Sequence, residues 1–76
     1  MITNIGIVAG EIWHYLDEKG KTNLNDLVDA IQKASTSKEE TTRELVLMSI
    51  GWLAREGHVF LGRAEQGYPI ELIAGE

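Results

Sequence analysis

Two histidines, His14 and His58, and three serines, Ser35, Ser37 and Ser49, are the first candidates in this chain for nucleophilic or general-base chemistry. Such chemistry needs a nucleophile, a base and an orienting acid within hydrogen-bond reach of one another. No spacing here unites them. The histidines lie on separate expected elements, and Ser35 and Ser37 fall in an expected helix-capping region. The paired carboxylates Asp17-Glu18 and Glu39-Glu40 are sequence neighbours, and neighbours on a helix point apart. Two isolated histidines and no cysteine give neither an i, i+4 ligand pair nor a thiolate site. Gly6 and Gly10 are four apart, but they sit inside a helical pattern rather than between a strand and a helix. The glycine fingerprint of nucleotide sites therefore does not apply. The expectation is a protein that is not an enzyme, with no cofactor, no metal and no evident small-molecule substrate.

The elements that would position these residues can be read from periodicity. Ile5, Val8, Ala9, Ile12 and Leu16 recur at helical spacing, which predicts a first helix from about Asn4 to Glu18, capped by Thr3 or Asn4 and stopped by Gly20. Lys21 to Asn23 form a short extended link. Asn23 then caps a second helix whose apolar face is Leu24, Leu27, Val28 and Ile31 and which ends near Ala34. Ser37 and Glu40 match the S-x-x-E capping box, which predicts a third helix from there to about Glu56. Its main stripe is Val46, Ile50 and Leu53. Leu45, Met48 and Trp52 make a second stripe, so this helix has two apolar sides to satisfy. At Gly57 helical spacing gives way at once to two strand patterns, "HVFLG" and "YPIELIA", joined by the polar loop Gly62 to Gly67. Pro69 has no N–H to give a ladder, so it belongs at the start of its strand.

Composition bounds the reading further. A chain of 76 residues with 43% hydrophobic content is expected to fold as one domain, residues 1–76, with a modest core. The absence of cysteine excludes a disulfide framework and fits a cytoplasmic location. The stretch "MITNIGIVAGEIWHYLDEKG" has no basic leader, and Glu11, His14 and Asp17 interrupt it. It reads as neither a signal peptide nor a membrane span. Twelve acidic against seven basic side chains leave a net charge of −5, which repels phosphate backbones in general.

The order helix, short strand, helix, helix, strand, strand resembles the winged helix-turn-helix domain. The stretch "LNDLVDAIQKASTSKEETTRELVLMSIGWLAREGHVFLG" is similar to that family's two-helix unit and its "LxxLxxxGxI" junction, here Ile50, Leu53, Gly57 and Val59. The N-terminal "GxxAGxIWxxL" pattern and the "GWLARE" stretch resemble more narrowly the small stand-alone winged-helix proteins that form a domain family of unknown function. The resemblance covers nearly the whole chain. It implies an α+β fold of three helices with a small antiparallel β-sheet, the C-terminal hairpin forming the wing, and it brings no activity with it.

That fold invites two readings of function. In winged helices the third helix enters the major groove and the hairpin touches the backbone or minor groove. The residues so placed here are Lys38, Thr41, Thr42, Arg43 and Arg63. The acids Glu39, Glu40, Glu44 and Glu65 surround them, so the cations that must hold phosphates are outnumbered. The favoured reading is therefore a non-enzymatic module that associates with a second copy, as a homodimer, or with another protein. Its contact candidates are Leu45, Met48 and Trp52 on the third helix and Gly6, Gly10 and Trp13 on the first. A glycine within a helix is about 0.8–1 kcal/mol less favourable than alanine, and close approach of another backbone is a common reason to keep one. A small DNA-binding regulator is the alternative.

Overall fold

The structure, a computed structural model, describes residues 2–35 and 41–73, with side chains from residue 5 onward. The order is α1 (Ile2–Lys19), β1 (Thr22–Asn23), α2 (Leu24–Ala34), α3 (Arg43–Arg55), β2 (Val59–Leu61) and β3 (Pro69–Leu72). The strands form one antiparallel sheet in the order β1-β3-β2. This is the α+β arrangement expected, three helices with a C-terminal β-hairpin wing.

The apolar stripes meet in one core. Val8, Ala9, Ile12 and Leu16 of α1 pack with Leu27, Val28 and Ile31 of α2, with Val46, Ile50 and Leu53 of α3, and with Val59 and Ile70 of the sheet. Ile70 sits at the centre of β3, fully buried, with Thr22 on one side and Leu61 on the other. The sheet thus closes the open end of the three-helix core.

Glycine sets the two main turns. The N–H of Gly20 donates to the Leu16 carbonyl at 2.8 Å, which ends α1. At the end of α3, His58 N–H reaches the Leu53 carbonyl at 2.9 Å and Gly57 N–H reaches that of Ala54 at 3.2 Å. Those two bonds are a Schellman termination, with Gly57 at φ +81° supplying the left-handed residue it needs. The chain therefore leaves α3 directly into β2. In the wing, a Cβ on Gly67, at φ +109°, would lie 2.6 Å from Asn23 Oδ1. A side chain there would have to displace the Asn23 amide and would hold a strained backbone.

Two helix starts and one cap differ from expectation. Helix α1 already runs at Ile2, so Thr3 and Asn4 lie inside its first turn rather than before it. The first N–H groups of a helix lack internal acceptors wherever it begins, so a polar residue there does not by itself fix the cap. Helix α3 begins at Arg43, capped by Thr42, whose side-chain oxygen accepts from Leu45 N–H at 3.1 Å. The Ser37–Glu40 box lies outside the described residues. Thr41 and Thr42 are not helical, so no single helix runs on from that box to Glu56. Asn23 does precede α2, but its side chain makes no capping bond. The Tyr68 carbonyl accepts from Leu24 N–H instead, at 2.9 Å, and ties the wing to α2.

Candidate functional site

The surface that a winged helix offers a partner is the outer face of α3 and the wing beside it. Helix α3 turns Val46, Ser49, Ile50 and Leu53 inward. Its outer stripe is Glu44, Met48, Gly51 and Arg55, at i, i+4, i+7 and i+11, with Trp52 alongside. All five are exposed. Met48 retains 48% of its surface and Trp52 45%. Intramolecular packing thus leaves both large side chains half in water. The Trp52 ring lies 6.4 Å from that of His58, and two residues further Phe60 is 58% exposed on the wing. Scattered exposed apolar residues are ordinary, but a tryptophan and a methionine one turn apart on one face of α3 form a patch.

The residues named from sequence divide by where the fold puts them. Leu45, expected on the exposed second stripe, is 7% exposed and belongs to the core. It flanks Ser49, whose hydroxyl donates back to its carbonyl at 2.8 Å. That stripe therefore splits, Leu45 inward and Met48 with Trp52 outward. On α1, Gly6, Gly10 and Trp13 share an exposed side. Among the described residues nothing outside the helix backbone lies within 4 Å of a Cβ built on either glycine, so no other described element approaches them. The Trp13 ring meets His14 edge-on at 5.6 Å.

The residues named for nucleic acid fare differently. Thr41, expected among the DNA contacts, is 6% exposed. Its hydroxyl lies 2.7 Å from that of Ser35 and its carbonyl accepts from Gln32 Nε2 at 3.2 Å. Thr41 thus ties the chain just before α3 to the end of α2 and presents nothing outward. Thr42 is exposed, with its hydroxyl oxygen engaged as the α3 cap. Arg43 donates from Nη2 to Asn25 Oδ1 at 3.1 Å across the helix-turn-helix. Arg63 is exposed on the wing, and Lys38 lies outside the described residues. Around α3 and the wing the described cations Arg43, Arg55 and Arg63 are outnumbered by the acids Glu44, Glu56, Glu65 and Glu71. More acids than cations give phosphates no net attraction.

A groove of about 350 Å³ opens between the wing tip and the starts of α2 and α3, with Asn25, Asp26, Arg43, Gln66 and Tyr68 on its walls. Its Arg43 is already directed to Asn25. Among the described residues no three histidine or acidic side chains gather as a metal site would require. No helix among them is long and apolar enough to cross a membrane.

Two residues of the outer stripe had no place in the sequence reading, Gly51 and Arg55. Their signal was present in the spacing. Reading outward from Met48 by three and by seven reaches both.

The comparisons agree with this geometry. The family model described as "Winged helix-turn-helix domain (DUF2582)" matches residues 1–72. The uncharacterised protein MJ1608 of Methanocaldococcus jannaschii is 35% identical over 68 residues, which cover 90% of this chain and 89% of that protein. No solved structure matches significantly.

Proposed function

Since the chain belongs to the winged helix-turn-helix domain family (DUF2582), we propose that it is a non-enzymatic module that uses the DNA-reading face of that fold to hold a protein surface. The observation that carries this reading is the outer face of α3. Where a reader of base edges sets polar and basic side chains, this helix sets Met48 and Trp52, both about half exposed. Burial of apolar side chains drives association with proteins, and tryptophan is enriched among the residues that dominate such interfaces. The one arginine of the first α3 turn is held by Asn25.

The competing reading, a DNA-binding regulator using Thr42, Arg43 and Arg63, makes a different prediction. Phosphate contacts give an affinity that falls steeply with salt. Fluorescence anisotropy with a random duplex at about 50 mM salt, a condition in which such contacts are strong, should show no binding. Binding that disappears as salt rises, and that Arg43→Ala and Arg63→Ala weaken, would overturn the proposal.

A further inference from the structure

We propose that the surface held by α3 is α3 of a second copy, packed antiparallel about a two-fold axis between Met48 and Gly51. This rests on the reading of that face as a protein interface and names its occupant.

The argument comes from the order of side chains along the exposed stripe. From the N-terminal end it runs Glu44, Met48, Gly51, Arg55. A two-fold interface is self-complementary, so if one residue meets another, the second meets the first. The antiparallel register that sets Glu44 against Arg55 of the second copy also sets Met48 against Gly51 of that copy, and both relations occur twice. Charge meets opposite charge at each end, and the long thioether side chain meets the one position without a side chain in the middle. A parallel pairing would stack Glu44 on Glu44 and Arg55 on Arg55. The stripe is therefore complementary to its own reverse and not to itself in parallel.

Three structural facts support that occupant. Among the described residues Glu44 and Arg55 have no ion-pair partner, and Lys21–Glu71, at 4.0 Å, is the pair that forms. Both end charges thus remain available. Among the described residues nothing lies within 4 Å of a Cβ on Gly51, which leaves open the hole that Met48 would enter. The flanks are also consistent. Trp52 lies on one side of the stripe and the half-buried Leu47 on the other. About this axis each flank meets its own copy, so the two Trp52 rings come together and lose water on one side of the seam. Antiparallel helices also set opposite macrodipole ends side by side.

The test is sedimentation equilibrium over a concentration series, joined to the emission of a Trp13→Phe chain in which Trp52 is the sole tryptophan. Circular dichroism confirms folding of each variant; Glu44 and Arg55 are exposed, so their replacement leaves the core intact. The wild-type chain is expected to dimerise, and Trp52 emission to shift to the blue as dimer forms. Glu44→Arg and Arg55→Glu should each weaken the dimer tenfold or more, and the double variant Glu44→Arg/Arg55→Glu should recover most of that loss. A dimer indifferent to the swaps, with Trp52 emission independent of concentration, overturns this geometry and leaves protein contact at another face standing. A chain that stays monomeric throughout overturns the second copy as occupant. The face itself is then judged by the separate DNA experiment.

Discussion

Thr41 and Thr42 stand side by side and have opposite fates. Thr41 is buried and joins Ser35 and Gln32 in the turn, while Thr42 is exposed and caps α3. Sequence alone groups them, because both are short polar residues at a helix start. What separates them is the contact of Thr41 with the end of α2, a tertiary contact that no local pattern encodes. The same holds for Leu45, which reads as part of an outward stripe until the position of α2 is known. Gly57 is the contrary case, since its role follows from type and place together. A Cβ in the left-handed region costs roughly 1–2 kcal/mol. Gly57→Ala should therefore lower stability by about that amount, measured by urea denaturation. Thr42→Ala should lower it by about 0.5–2 kcal/mol through loss of the α3 cap. A change near zero in either would mean that these ends are held by something other than the bonds described.

At the scale of elements most of the chain was legible. Helical spacing in α1 and α2, the stops at Gly20 and Gly57, and the two wing strands agree with the structure, although Leu61, two residues from the buried Val59, is 44% exposed. The start of α3 was not, because two capping signals compete within six residues. Ser37 with Glu40 matches a known box, yet Thr42 makes the cap. The interior glycines test which helix face is in use. Gly6 and Gly10 on α1 and Gly51 on α3 all have open space where a Cβ would go. In the isolated fold, replacing each by alanine should stabilise by about 0.8–1 kcal/mol. Thermal unfolding of dilute protein should show that gain at all three positions. Self-association should remain unchanged in Gly6→Ala and Gly10→Ala and weaken in Gly51→Ala. Weakening at the α1 positions instead would move the interface to the face that carries Trp13.

For the whole molecule, fold and charge point in different directions. The element order and the junction at Gly57 were enough to read a winged helix from sequence, because glycine stops and apolar periods are local signals. The use of that scaffold was only half legible. The net charge of −5 warned against a polyanion. Which apolar residues face outward depends on how α3 rolls against α1 and α2, and the structure settles that for Met48 and Trp52. On the function proposed above, an acidic chain whose α3 shows thioether and indole to water loses that water against another protein.

The most direct measurement of that claim follows the backbone amides of isotope-labelled protein by NMR, once through a dilution series and once through a titration with duplex DNA at low salt. The account predicts that dilution moves the amides of residues 44–55 and that DNA moves none. Signals of Arg43, Arg63 and the wing that shift with DNA, while those of α3 ignore concentration, would contradict it.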